Sequence, residues 1–241
     1  MPFYSPDGIE IPSLSMDQMR EIDRIAVEEF KLGLLQMMEN AGRNLAEVVM
    51  SKFEGVPGPV VILAGPGGNG GGGLSAARHL HNHGFDVRLI LAKPDLGQAA
   101  ENQLNILKKA GVQTLGVDEV EAALWEASIV IDALIGYSLK GAPRGRTAEL
   151  IQLCNQYAQQ VVSLDIPSGV DATTGETPGE AIHTKITVTL ALPKSGLAHV
   201  GGELFLADIG IPPQVYALLG IHFEPFFRSS YWIPIDRRNN Q

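Results

Sequence analysis

From residue 60 the chain alternates short apolar runs with helix-like stretches: VVILA, LSAARHLHNHG, DVRLILA, GQAAENQLNILKKAG, VQTLG, VDEVEAALWEA, SIVIDAL, TAELIQLCNQYA and QVVSLDI. Strands that are apolar throughout must be covered on both faces, and a helix after each strand carries the chain back to begin the next one in parallel. The pattern therefore specifies a three-layer, doubly wound α/β fold with a mostly parallel, Rossmann-like sheet. The later runs AIHTKITVTLAL and GELFLADIGI extend that sheet at one edge. Ligands of such sheets sit outside the carboxyl ends of the strands, where the strand order reverses. The loops after Ala64, Asp132 and Asp165 are thus expected to meet at one crevice.

The stretch before residue 60 has a different period. Met16, Met19, Ile22, Ile25 and Ala26 recur at helical spacing, as do Leu35, Met38, Ala41, Leu45, Val48 and Val49. Two helices are predicted, the first capped by Ser15 and ended near Lys31-Leu32-Gly33, with Gly33 as its C-cap. No Pro/Gly/Ser-rich linker and no internal repeat interrupts residues 1–241, so a single domain is expected.

Composition narrows the function classes. The net charge of -9 argues against broad nucleic-acid binding, which needs a basic surface. Cys154 is the only cysteine, so no intrachain disulfide forms, and it reads as a small core residue in a reducing compartment. No apolar run approaches the roughly 20 residues of a membrane span, and MPFYSPDGIEIPSLS lacks the charged-then-apolar order of a signal peptide. A cytoplasmic protein is expected. The tail FEPFFRSSYWIPIDRRNNQ is rich in aromatics and reads as packing on its own domain.

Chemistry concentrates in three loops. Residues 65–73, GPGGNGGGG, hold seven glycines between a strand and a helix, and Gly65, Gly67 and Gly70 satisfy G-x-G-x-x-G. Glycine lets a backbone approach a bulky anion, and free N–H groups at a helix start donate to phosphate, so this loop reads as a nucleotide cradle. No Gly-Lys-Ser/Thr follows, which excludes a P-loop. The second strand ends Leu91-Ala92-Lys93 without the acidic residue of a dinucleotide dehydrogenase. In the second loop, Asp132 ends a strand and is expected to face the crevice. The permissive stretch Gly136–Gly141 follows, with Lys140 and Arg144 close by. In the third, Asp165 ends a strand before the turn Pro167-Ser168-Gly169, which favours Asp165 as acid/base and Ser168 as a ligand. Asn69, Asp132 and Ser168 offer only oxygen donors, which suit a hard cation. His79, His81 and His83 show no carboxylate or cysteine partner and read as a solvated helix end.

Taken in order, QMMENAGRNLAEVV, Gly65–Leu80, IDALIGYSLKG, SLDIPSGVDATTG, TVTLALPKSGL and LADIGIP resemble the YjeF N-terminal family, the NAD(P)H-hydrate epimerases, over nearly the whole chain. The resemblance implies a Rossmann-like, commonly homodimeric enzyme that interconverts the C6 epimers of hydrated NADH or NADPH with a bound potassium ion. It also implies a separate dehydratase chain that consumes one epimer. Carried across by motif, the substrate would meet Gly68, Asn69, Gly70, Gly71 and Gly72, then Gly136, Tyr137, Ser138, Leu139, Lys140, Gly141 and Ala142, and the acid Asp165. Potassium would be held by Asn69, Asp132 and Ser168. Two positions depart from the pattern: Gly68 stands where the family has asparagine, and Gly72 where it has aspartate. The first change removes an amide that could orient substrate, and the second removes a carboxylate beside the anion cradle.

In the chemistry this suggests, the ring nitrogen expels the C6 hydroxyl as water with proton help from Asp165, leaving an iminium-like cation, and water returns to the opposite face of C6 with Asp165 now accepting the proton; reversible ring opening is an equally open route. To donate, Asp165 would need a raised pKa. The competing reading is a non-catalytic nucleotide- or RNA-binding scaffold on the same fold, which would favour a basic groove.

Overall fold

A computed structural model describes residues 3–237. Seven parallel strands form its centre: β3 (Val60–Ala64), β4 (Val87–Leu91), β5 (Gln113–Thr114), β6 (Ile129–Ala133), β7 (Val161–Leu164), β8 (Ile186–Leu190) and β9 (Glu203–Ala207). Three antiparallel strands continue the sheet past β9: β10 (Trp232–Arg237), β1 (Phe3–Tyr4) and β2 (Glu10–Ile11). The order is β2-β1-β10-β9-β8-β7-β6-β3-β4-β5. From β3 the chain winds outward to β4 and β5, then returns to the other side of β3 as β6. The reversal therefore lies between β3 and β6, where a crevice must open.

Side chains alternate across this sheet. Val60, Ile62, Ala64, Ile131 and Ala133 pack under α2 (Leu34–Lys52), α3 (Gly68–Asn82) and α4 (Gln98–Lys109). Val61, Leu63 and Val130 pack on α5 (Val120–Glu126) and α6 (Arg146–Tyr157), with the buried Cys154 among them. Every residue of β3 is buried, and each such Val, Ile or Leu stabilises the fold by about 1.5–3 kcal/mol. A third cluster joins α1 (Met16–Glu28), α7 (Pro213–Ala217), the terminal strands and the loops after β7 and β8.

Ser15 caps α1 as expected, its hydroxyl accepting from Gln18 N at 3.2 Å while the Gln18 side chain accepts from Ser15 N at 2.9 Å. Gly33 does not end α1. It is extended (φ -67°, ψ 136°) and begins α2, its N–H donating to Gln36 Oε1 at 2.7 Å, and the left-handed residue of the connection is Lys31 (φ 60°). The aromatic tail packs on its own domain: Phe226 is buried, and Trp232 meets Phe205 edge-on at 5.6 Å. The last four residues of that tail, 238–241, lie outside the described residues.

Candidate active site

The glycine run is not the open loop expected. Only residues 65–67 lie between β3 and α3, and Gly68–Gly73 form the first turns of the helix. Most of these glycines exist for packing. A Cβ on Gly65 would lie 1.9 Å from the Leu134 carbonyl oxygen, and one on Gly70 1.8 Å from that of Gly65. On Gly71 it would meet Met38 Cε at 2.3 Å, and on Gly73 Ala133 Cβ at 2.4 Å. The helix thereby sits closer to β3 and α2 than any side chain allows. Gly67 and Gly68 differ, since each faces open space. The N–H groups of Gly68, Asn69 and Gly70 begin the helix with no preceding turn to bond to, while Gly71 N already donates to Gly67 O at 3.0 Å. The anion-binding feature is thus a helix N-terminus.

Beside it lies a cavity of 310 Å³ lined by the apolar side chains of α1 and α2 (Met19, Leu34, Met37, Met38) and by Gly68, Asn69, Gly72, Gly136, Tyr137, Ser138 and Asp165. Asp165 is held there by a strained turn. Its φ is 71°, its N–H donates to Val188 O at 2.7 Å, and Ile166 N closes back onto Leu164 O at 2.9 Å. This i to i+2 turn about a non-glycine residue is costly and turns the carboxylate off the strand end into the cavity. Asp165 is 3% exposed. Its Oδ2 accepts from Tyr137 N at 2.9 Å, and its Oδ1 forms an ion pair with the fully buried Lys194. Lys194 Nζ also donates to Leu190 O at 2.7 Å. A buried carboxylate that accepts on one oxygen and is ion-paired through the other is arranged to exchange a proton or balance a cation.

Across the cavity, the Tyr137 hydroxyl donates to Asp23 Oδ2 at 2.5 Å. Burial pushes the Asp23 carboxyl above its ordinary pKa, opposed by the Tyr137 hydrogen bond and the Lys194 charge and reinforced by Asp165. Burial, with Asp23 nearby, also pushes the Tyr137 phenol up.

Asp132 does not face the cavity. The alternation of β6 puts it with Val130 on the α5/α6 side, fully buried. Its oxygens accept from Ser168 Oγ at 2.5 Å, Ser168 N at 2.9 Å, Ser163 Oγ at 2.9 Å and Leu134 N at 3.2 Å. Desolvation raises its pKa against these bonds. Ser168 Oγ in turn accepts from Ile135 N at 2.8 Å and lies 3.2 Å from Ile135 O. Asp132 and Ser168 thus clamp the loop after β6 from below. Asn69 meets the next residue from above, its Oδ1 lying 3.1 Å from where a Gly136 Cβ would stand, and its Nδ2 is buried without a partner.

Of the residues expected at the site, Gly68, Asn69, Gly72, Gly136, Tyr137, Ser138 and Asp165 share the cavity. Gly70 and Gly71 are spent on packing, Leu139 turns into the protein, and Lys140, Gly141 and Arg144 are exposed. Ala142 packs near Gly179 and is also off the cavity. At Gly68 a side chain would meet nothing, whereas at Gly72 it would lie 2.8 Å from Leu164 Cδ2, so Leu164 occupies that space. His79 is not solvated: its Nε2 lies 2.9 Å from Glu39 Oε1, and Arg78 engages the same carboxylate. No cluster of His, Cys, Asp or Glu able to hold a metal occurs among the described residues. Sequence reading missed Lys194 and Asp23. Each carried a signal: a lysine directly after an apolar strand in ALPKSG, and an aspartate on the apolar face of α1, beside Ile22 and one turn from Met19.

A doubly wound sheet with a helix N-terminus and buried acid–base groups at its strand-order reversal defines a small-molecule site of the nucleotide-binding α/β class. The profile described as YjeF-related protein N-terminus matches residues 34–196. The chain belongs to this family. It is 50% identical over 236 residues, 96% of each chain, to the NAD(P)H-hydrate epimerase of Dehalogenimonas lykanthroporepellens. It is 36% identical over 230 residues to the bifunctional NAD(P)H-hydrate repair enzyme Nnr of Moorella thermoacetica, covering 89% of this chain but 43% of that longer protein. The crystal structure of yeast ynu0, YNL200c, superposes with a TM-score of 0.85 over 93% of this chain and all of that one, at 24% identity. This last likeness concerns the fold.

Proposed function

We propose that this chain is an isomerase, an NAD(P)H-hydrate epimerase that interconverts the two C6 epimers of hydrated NADH and NADPH. The observation that carries the reading is Asp165: a buried carboxylate in a strained turn, ion-paired to a buried lysine, in a cavity at the strand-order reversal. Similarity over nearly the whole length of a protein named for this activity supports it, and no basic groove is expected of a chain with net charge -9.

The nicotinamide half occupies the cavity against Met19, Met37 and Met38, and the pyrophosphate lies at the free N–H groups of Gly68, Asn69 and Gly70. Gly136, Tyr137 and Ser138 form the facing wall. The ring nitrogen releases the C6 hydroxyl as water and leaves an iminium cation. The Asp165 carboxylate balances that charge in a site of low polarity and accepts a proton when water returns to the opposite face.

Potassium fits the oxygen donors of Asp132 and Ser168 and the amide of Asn69, whose buried Nδ2 lacks a partner and whose orientation can reverse. When bound, the ion would offset the buried charge of Asp132 and stiffen the loop after β6. The relative from Moorella thermoacetica is named a bifunctional NAD(P)H-hydrate repair enzyme, and a dehydratase acting on one epimer is the activity that would consume the product. A homodimer in the cytoplasm, with residues 1–241 of each subunit forming one domain, completes the reading.

The test uses one isolated epimer of NADPH hydrate, with and without potassium, beside Asp165→Asn. Potassium-stimulated epimerisation that falls roughly 10²–10⁴-fold in the variant is expected. Epimerisation by the purified protein no faster than in buffer would refute the function.

A further inference from the structure

The geometry of Asp165 leaves a gap in this chemistry. Epimerisation removes hydroxyl from one face of C6 and adds it to the other, so a proton must be given on one face and taken on the other. Asp165, held by Tyr137 N and ion-paired to Lys194, lies to one side of the cavity and can serve one face only. A second proton-handling group is needed within the same cavity.

Asp23 meets the requirement. It lines the cavity from α1, on a different element from Asp165, and Tyr137 holds the two carboxyls at its opposite ends, its main-chain N–H on Asp165 and its hydroxyl on Asp23. Tyr137 occupies Asp23 Oδ2 and leaves Oδ1 without a hydrogen bond among the described residues. The groups facing Asp23 are Tyr137, Lys194 and Asp165 from the loops after β6, β8 and β7, and Tyr216 from α7, with Arg20 near Tyr137 on α1. Resting on the epimerase reading, we propose that Asp23 is a second acid/base of the reaction, paired with Asp165 in a two-base mechanism, and that Tyr137 is its positioning residue.

Written out, the Asp23 carboxylic acid gives its proton to the hydroxyl facing it, the C6–O bond breaks, and the nitrogen lone pair forms the iminium bond. Water then adds to C6 from the other face, Asp165 takes its proton, and the iminium electron pair returns to nitrogen. The enzyme passes from a form with the proton on Asp23 to one with it on Asp165, and between turnovers Asp165 gives its proton to water while Asp23 takes one up, which restores the first form. Burial supports the assignment, because it favours the protonated form of Asp23 while Lys194 holds a positive charge against Asp165. Carboxyls with unlike surroundings in one site divide the acid and base roles between them.

The test measures two rates for each isolated epimer of NADPH hydrate in water labelled with heavy oxygen: inversion, and exchange of the C6 oxygen with solvent. Asp23→Asn is expected to lower inversion roughly 100-fold or more. It should still exchange oxygen into the epimer whose hydroxyl faces Asp165, without inverting it. Asp165→Asn should show the complementary pattern, with exchange confined to the other epimer. Tyr137→Phe should lower kcat more than it raises KM, and Asp23→Glu should regain part of the rate. Inversion near the wild-type rate in Asp23→Asn overturns the proposal. So does a folded Asp23→Asn protein that exchanges neither epimer, which would make Asp23 merely structural. Failure of the wild-type chain to invert either epimer would instead strike at the function itself.

Discussion

Gly70→Ala and Gly68→Ala, two positions apart in one helix, should move stability in opposite directions. Neither glycine has a positive φ, so alanine meets no backbone strain at either. At Gly68 a new methyl meets nothing within 4 Å, and reduced freedom of the unfolded chain with better helix propensity stabilises by a few tenths to about 1 kcal/mol. At Gly70 the methyl would stand 1.8 Å from the Gly65 oxygen, 2.7 Å from its carbonyl carbon and 2.8 Å from its nitrogen. All three atoms are main chain, so no side chain can rotate away and α3 must lift from the end of β3. Overpacking of this kind costs up to about 3 kcal/mol, and the same propensity term returns at most about 1. The net loss is about 2 kcal/mol. For a chain of 241 residues, thermal unfolding should then shift down by roughly 4–8 °C for Gly70→Ala and up by about 1–3 °C for Gly68→Ala. Melting followed by circular dichroism at one scan rate is sufficient. A Gly70→Ala protein melting within 1 °C of wild type, on the order of a quarter to a half of a kcal/mol, would refute the packing account of this run.

Two further outcomes follow from the buried charges. Lys194→Met leaves Asp165 buried and unpaired and should cost about 3 kcal/mol or more in urea denaturation; adding Asp165→Asn should restore most of that stability but no activity, and equal stability of the single and double variants would contradict the pairing. Because burial raises the Asp23 pKa, the native chain keeps that proton after the unfolded chain has lost it. Wild type should therefore lose stability relative to Asp23→Asn as pH rises from below the ordinary carboxyl range through the raised value, then level off; a difference constant across that window would contradict the shift.

The periodicity of the chain was sufficient for its architecture. Buried strands with helices between them have one way to cover both faces, and this located β3 to β9 and the strand ends that meet at the crevice. Short edge strands such as Phe3–Tyr4 carried too few residues for an alternating pattern and were not foreseen. Asp165 was legible as a carboxylate ending a parallel strand. Lys194, which determines its chemistry, was not, because the pair joins loops after two different strands, 29 positions apart in the chain.

What the residues determined alone is therefore the fold class, the family motifs and the location of the crevice, all properties of local pattern and order along the chain. What only the tertiary structure decided is direction. It turned Asp132 to the far face of the sheet, spent Gly65, Gly70, Gly71 and Gly73 on close packing while leaving Gly67 and Gly68 open, and brought Asp23 from α1 to within a hydrogen bond of Tyr137. Pattern specifies which elements form, but the partner of a buried polar group is selected by the packing of elements far apart in sequence, where its desolvation has to be compensated.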